Sequence, residues 1–486
     1  MAHSPYKRCI FFLADGARAD VLRRLSAAGE LPEISKYLTE PGTLAEATSV
    51  FPSTTGPAYL PFLTGRYPGP CNMPGIRWFD RKAYATDSPF TLNRTRSYCG
   101  LSSLLINSDL SPDIPTVFDF AKKPFNHYNP ITRGISKDRN RYRAGLAHVM
   151  AHYTADHSWT HQKIMDGLVR TVAEDFDFIF VVLPGPDLQG HYNQPESKQA
   201  LAAYREVDEA VGRVGDLLSR IGWLEDTLLF LSADHGMTAT HTHFDLDGFL
   251  DRKGFRAYYH PNVFRYWTSA NAASMVSGNS MSHLYFKNGK GWMERTPFEE
   301  LNGGSIGNVV DDLLSYESID LVFGPSADGA VRVKSRRGQA RIERKADGQF
   351  AYRVERGGDP FGYGPLPAVM GEREALAQTF GSQYPDAIVQ ALQIFDSPRA
   401  GDLIICASDG HDLRMHNEHP EHRASHGALT RHQMLVPFLT NHPLEAAEPI
   451  RTVDFFPTAF GLLGWDMPAV LDGIDLVEAA RKKKAA

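Results

Sequence analysis

Short apolar runs that stop abruptly at polar residues recur along this chain. Cys9-Ile10-Phe11-Phe12-Leu13-Ala14 ends at Asp15-Gly16, and Thr43 to Val50 runs into Phe51-Pro52-Ser53-Thr54-Thr55-Gly56. Phe178-Ile179-Phe180-Val181-Val182-Leu183 ends at Pro184-Gly185-Pro186-Asp187, and Thr227 to Leu231 leads to Asp234-His235-Gly236. Asp402 to Ala407 and Val436 to Leu439 repeat the pattern later. Runs this short, without alternation, predict strands buried on both faces. Helical spacing lies between them, with Val21, Leu22 and Leu25 in one segment and Met165, Leu168, Val169 and Val172 in another. Leu201, Tyr204, Val207, Val211, Val214, Leu217 and Leu218 give a strong amphipathic helix over 198–221, and a last helix is predicted from Asp454 to Leu463. Strand, helix, strand with polar residues past each strand end predicts an α/β fold with a doubly wound, mostly parallel sheet. Ligands sit at that edge of such sheets.

Two stretches break the rhythm. Residues 66–156 interleave aromatic and basic residues without period and read as an insertion packed beside the active site. Residues 251–399 read as a second, cap-like insertion. It contains an antiparallel meander, signalled by Val331-Arg332-Val333, Ala340 to Arg344 and Phe350 to Val354 split by Arg337-Gly338 and Asp347-Gly348. The catalytic core is then 1–65, 157–250 and 400–475. Residues 476–486, with Arg481-Lys482-Lys483-Lys484, read as a frayed tail.

Composition narrows the class. The 486 residues are 42% hydrophobic and 22% charged, ordinary for a globular chain with a large core. A net charge of −6 gives no reason to expect a nucleic-acid polymer as partner. The four cysteines have no Cys-x-x-Cys pair, which disfavours a disulfide framework or a structural zinc ribbon. No apolar run approaches the ~20 residues of a membrane span. The run at 9–14 is too short for a signal-peptide core, so the expectation is a cytoplasmic protein.

The polar residues past the strand ends carry the chemistry. They are Asp15, the hydroxyl cluster Ser53, Thr54 and Thr55, Asp187 with His191, Asp234 with His235, and His426 in Ser425-His426-Gly427. Taken singly each is weak, since a lone strand-end Asp is usually a helix cap. Together they put three carboxylates, three imidazoles and a hydroxyl at equivalent places on one sheet. Mixed Asp and His ligation without thiolate points to zinc, manganese or iron and away from calcium. Six protein ligands are too many for one catalytic zinc and suit two ions. A pair of ions ~4 Å apart serves in-line displacement at phosphorus, and metal coordination is a physical route to a nucleophilic threonine.

These motifs resemble the type I phosphodiesterase/nucleotide pyrophosphatase family of the alkaline phosphatase superfamily. The resemblance rests on Asp15-Gly16, Phe51 to Pro57 with Thr64-Gly65-Arg66-Tyr67-Pro68-Gly69, Pro186-Asp187-x3-His191, Asp234-His235-Gly236-Met237 and Ser425-His426-Gly427. It implies that Asp15, Thr55, Asp234 and His235 surround one metal, with Thr55 as nucleophile, and that Asp187, His191 and His426 hold the other. Thr55 is chosen over Thr54 because it stands two before Pro57 and nine before Thr64, as the family's threonine does. The implied cofactors are two divalent ions, Zn2+ first and Mn2+ second, and the implied route is a double displacement through phosphothreonine. The family often has Asn three residues after the nucleophile; here that place is Ala58. His-Gly-Ile becomes Pro74-Gly75-Ile76, and Cys71-Asn72-Met73-Pro74-Gly75 does not match the sulfatase cysteine motif.

The resulting expectation is a phosphodiester hydrolase acting on a small-molecule or lipid-linked diester. A phosphomonoesterase, a phosphonoacetate hydrolase-like C–P hydrolase and a phosphoryl transferase share these motifs, and a metal-binding protein without turnover is the alternative of another class. His241 and His243 are candidates for lining the pocket. Arg133, Lys137, Arg139, Arg141 and Arg143 offer a second anion site, against the commoner reading of a solvated basic loop. Trp78, Phe79, Tyr84, Tyr258, Tyr259, Tyr266 and Trp267 offer a surface for a base or lipid tail, against the commoner reading of the insertions' own cores.

Overall fold

The computed structural model describes residues 4–87, 92–141, 158–260, 262, 264–414, 421–445 and 449–485. Five of the apolar runs and two further strands form a seven-stranded sheet in the order Ile450–Arg451, Thr43–Thr48, Leu435–Thr440, Thr227–Ser232, Arg8–Ala14, Phe178–Leu183, Pro124–His127. Every residue from Cys9 to Leu13 is fully buried, as are the strands on either side, so both faces are covered. Val21, Leu22 and Leu25 of the helix Ala19–Ala27 join this core. So do Tyr204, Val207, Val211, Val214 and Leu218 of Lys198–Arg220, and Phe455, Phe456 and Phe460 of Phe455–Leu463. Ser197 starts the long helix by accepting a hydrogen bond from the Ala200 amide at 3.1 Å.

Register explains why the polar strand ends meet. Ala14 pairs with Leu183 and Leu13 with Ser232, all in parallel, so Asp15, Pro184 and Asp234 leave the sheet at one level. The strand Leu435–Thr440 runs antiparallel to Thr227–Ser232, so the chain that precedes it lies along the same edge; the Gly236 amide donates to Gln433 O at 2.9 Å. Thr43–Thr48 is antiparallel to that strand in turn, which delivers residues 49–55 to the edge as well.

The second region differs from expectation. It is a nine-stranded sheet, in the order Val369–Met370, Phe350–Gly357, Gly338–Arg344, Val331–Lys334, Ile319–Pro325, Leu403–Ala407, Met281–Phe286, Ala272–Ser277, Ala257–Tyr259. The predicted meander is one end of it. Leu403–Ala407, which the sequence placed in the catalytic core, lies here between two antiparallel neighbours. A buried apolar pentapeptide carries no mark of which sheet it joins. Conversely Pro124–His127 lies within the stretch read as an insertion, yet it is the edge strand of the central sheet. Its Asn126 and His127 hide it from a search for apolar runs. The 476–486 tail is also not frayed over its described part: Leu476–Ala485 is a helix. The Asp475 carboxylate accepts from the Val477 and Glu478 amides, and the Leu476 amide donates to Thr458 Oγ1 at 3.0 Å. Among the described residues no helix is long and apolar enough to cross a membrane.

The two sheets are stapled by a buried ion pair. Arg451, at the edge of the central sheet, donates through Nη2 and Nε to the two oxygens of Asp386 at 2.7 and 2.8 Å, and through Nη1 to Glu372 at 3.1 Å. Asp386 directly precedes the helix Ala387–Gln393, whose Gln390 and Gln393 hold the backbone of Phe51. Arg451→Met leaves the Asp386 carboxylate buried without its cation. It is expected to cost about 3 kcal/mol or more, read as a lowered urea midpoint at constant slope.

Candidate metal centre

Each polar group at the sheet edge is set by its own stretch of backbone. Asp15 follows the first strand, and its amide donates to Leu183 O at 3.1 Å. Gly16 next to it has φ of +69°, and a Cβ there would stand 2.7 Å from Asp187 Cα, so only glycine lets the first strand end abut the Asp187 helix. That segment is the helix Gly185–Asn193, which presents Asp187 and His191 one turn apart. Asp234 and His235 follow Thr227–Ser232. Gly236 serves a close approach, since a Cβ would lie 2.1 Å from His432 O.

Thr55 and His426 lie on loops that are tied together. Ser53 Oγ donates to Ala428 O at 2.8 Å and accepts from the Gly427 amide at 3.2 Å. Ser49 Oγ donates to Asp234 O, joining the threonine loop to the neighbouring strand end. Thr54 is fully buried and its hydroxyl has no polar partner, whereas Thr55 Oγ1 lies 3.5 Å from Asp15 Oδ1 and 3.3 Å from His235 Nε2.

The three imidazoles share one arrangement. His191 Nδ1 faces Ala424 O at 2.8 Å, His235 Nδ1 faces Gly236 O at 2.9 Å, and His426 Nδ1 faces Ser53 O at 3.1 Å. A carbonyl only accepts, so each Nδ1 carries a proton, and in the neutral ring each Nε2 presents a lone pair. Those nitrogens point at carboxylates. His191 Nε2 is 3.3 Å and His426 Nε2 3.8 Å from Asp187 Oδ1, and His235 Nε2 is 3.2 Å from Asp234 Oδ2. A lone pair aimed at a carboxylate oxygen is repulsive unless a cation or a proton sits between them.

Charge points the same way. Asp187 Oδ1 and Asp234 Oδ2 are buried and accept no hydrogen bond. Burial, then the neighbouring Asp234 and Asp187, push the Asp15 carboxyl well above its ordinary range. Burial and Asp187 push Asp234 up to about 7. Burial opposes ionisation of Asp187 too, but the facing His191, His426 and His235 hold it below its ordinary value. Asp15, Asp234 and His235 bring ligand atoms within 4.8 Å of one another, as do Asp187, His235 and His426. The donor set therefore fits divalent cations. His235, whose ring stacks on His426 with centroids 3.7 Å apart, belongs to both groups, while His191 reaches only Asp187.

The other candidates have neighbours of their own. His243 is engaged with Asp412 at 2.8 Å and faces Glu421 at 3.5 Å, and His241 sits exposed beside His411. Arg133 is consumed by four carbonyls, those of Ser111, Ile114, Asn107 and Leu110. Arg139 and Arg141 lie over Phe125, Lys137 is exposed, and Arg143 is outside the described residues. Phe79, Tyr84 and Tyr258 form an apolar cluster of their own with Tyr285 and Trp292, against which Tyr266 packs, and Trp78 is fully buried. Ala58 is buried, in the same apolar cluster as Val50, Phe51 and Tyr67, and has no side-chain donor to offer the site. Two neighbours escaped the sequence reading. Tyr59, four residues after Thr55, donates its hydroxyl to Asp15 Oδ2 at 2.6 Å. His422, four before His426, lies with its ring 4.4 Å from His191.

Comparison with known proteins bears on this geometry. Over 266 residues the chain is 24% identical to GPI ethanolamine phosphate transferase 1 of Emericella nidulans, covering 50% of this chain and 26% of that protein. It spans about a quarter of the length of the curated relatives it matches. Murine ectonucleotide pyrophosphatase / phosphodiesterase 5 superposes with a TM-score of 0.60 at 13% identity, over 96% of this chain and 97% of that one. Phosphonoacetate hydrolase from Sinorhizobium meliloti superposes with a TM-score of 0.56 at 16% identity, over 95% and 96%. At such identities these two show the fold. The type I phosphodiesterase / nucleotide pyrophosphatase family matches residues 9–429 of the 486, and the chain belongs to that family, within the alkaline phosphatase superfamily.

Proposed function

We propose that this chain is a metal-dependent phosphodiester hydrolase with Thr55 as its nucleophile. The observation that carries the reading is the place of the Thr55 hydroxyl, within 3.5 Å of both Asp15 Oδ1 and His235 Nε2 in a cluster of buried carboxyl groups. Asp15, Asp234 and His235, with Thr55, would hold one divalent ion, and Asp187, His191 and His426 the other, with His235 near enough to serve either. Two ions, Zn2+ or Mn2+, supply positive charge that favours the threonine alkoxide and offsets the charge of the phosphoryl oxygens.

The residues do the rest. Thr55 Oγ1 forms a bond to phosphorus as the bond to one alcohol substituent breaks, leaving the other substituent on a phosphothreonine. Water then cleaves the phosphothreonine and releases a monoester, which restores Thr55. The Nδ1–H bonds of His191, His235 and His426 to backbone carbonyls fix ring orientation through both steps. A diester carries one charge fewer than a monoester and so asks less positive charge of the site. Passage of the phosphoryl group to an alcohol instead of water is the second reading, favoured by the match to a transferase.

Metal analysis combined with hydrolysis of bis-(p-nitrophenyl) phosphate, p-nitrophenyl phosphate and p-nitrophenyl phenylphosphonate tests the proposal. The expected result is about two ions per chain and a preference for the diester and the phosphonate ester over the monoester. A protein that carries ions but cleaves only the monoester overturns the diesterase reading. Product that appears on added glycerol rather than as free monoester moves the transferase ahead.

A further inference from the structure

The hydroxyl of Tyr59 has no part in the reaction described above. It is nonetheless fixed by a buried ring and a single hydrogen bond to Asp15. Thr55 and Tyr59 are four residues apart on the turn that continues into Pro57–Tyr59, so one short segment carries both. The Tyr59 ring is buried, 2% exposed, and packs in the central core with Phe180, centroids 6.5 Å apart. Its hydroxyl donates to Asp15 Oδ2 at 2.6 Å. The other oxygen, Oδ1, is the one that lies 3.5 Å from Thr55 Oγ1 and 3.6 Å from His235 Nε2.

A carboxylate on a short side chain turns readily about its last torsion, which is broad and two-fold. Here it also sits against two other buried carboxylates that repel it. One fixed donor on Oδ2 settles which oxygen faces the cluster, and it draws off negative charge on the side away from it. We propose that Tyr59 is a positioning residue, which orients Asp15 Oδ1 toward the divalent ion shared with Asp234 and His235. The inference rests on the proposed metal-dependent function. A buried tyrosine that merely satisfies its hydroxyl would show the same bond, so the test has to separate the two.

Tyr59→Phe keeps the ring and removes one oxygen atom. Metal-free wild type, Tyr59→Phe and Phe180→Leu are titrated with zinc in competition with a chromophoric chelator, and their melting temperatures are measured without metal. Wild type is expected to show two binding constants. In Tyr59→Phe one of them weakens about 10- to 100-fold, the other stays within about twofold, and diester hydrolysis recovers as zinc is raised. Phe180→Leu loosens the packing against the Tyr59 ring and keeps the hydroxyl; it is expected to melt lower with both constants unchanged. Unchanged constants in Tyr59→Phe overturn the inference alone. The same loss of affinity in Phe180→Leu also overturns it, by tracing the effect to packing. Wild type that binds no divalent ion overturns both the inference and the function on which it rests.

Discussion

Thr55→Ala is expected to lower kcat for diester hydrolysis by about 10^4-fold or more while both divalent ions stay bound. The size follows from the role. A nucleophile that forms the covalent intermediate has no substitute within reach, because the other hydroxyls of the loop are turned away. Ser53 is spent on Ala428 O and the Gly427 amide, and Thr54 Oγ1 is sealed from any polar partner. Thr54→Val is therefore the matched control, expected to change the rate by no more than a few-fold. Acid quenching during turnover should trap a phosphorylated wild-type chain labelled at residue 55 and an unlabelled Thr55→Ala chain. Comparable rates in wild type and Thr55→Ala would remove the threonine from the mechanism.

The fold class was legible in the sequence, as was the gathering of the candidate site at the strand ends, and the reason is physical. Asp15, Asp187 and Asp234 each follow a fully buried run, and a buried run announces its own end. Chemistry placed just past such ends can be read by position alone. His426 follows no such run and was found by its motif; what brings it to the edge is the antiparallel strand Leu435–Thr440, a long-range pairing that no local pattern records. The same limit hid the membership of Leu403–Ala407, since burial on two faces looks identical in either sheet. Tyr59 escaped notice for a different reason. A tyrosine in an apolar segment reads as core, which its ring is, and only the 2.6 Å contact shows that its hydroxyl serves Asp15. Arg133 illustrates the converse. Its charge suggested an anion site, but a guanidinium that caps four carbonyls of one loop is structural.

Asp234→Asn is expected to abolish activity and, in the metal-free protein, to raise stability. The carboxyl of Asp234 is pushed from its ordinary 3.8 up to about 7, so the folded metal-free chain binds a proton between those values that the unfolded chain releases. With more protons bound in the folded state, stability falls as pH rises through that window, and the contribution of this proton is gone above about 7. Asp15 shifts in the same direction and adds to the slope. Asparagine keeps the acceptor for the Gly16 amide, which now meets Oδ1 at 3.2 Å, and carries no charge to bury. At pH 8 the metal-free variant should exceed metal-free wild type by on the order of 2 kcal/mol. Zinc at a thousandfold excess over its dissociation constant then adds about 4 kcal/mol to wild type and far less to the variant, which has lost a ligand charge. The order of the two melting temperatures therefore inverts on adding metal, and a chelator restores it. Thermal melts at pH 5 and pH 8, with and without zinc, give the result directly. Coincident metal-free melts for the two proteins at pH 8 would mean that the carboxylates are not held apart from their ordinary ionisation, and that the cluster is not strained toward a cation.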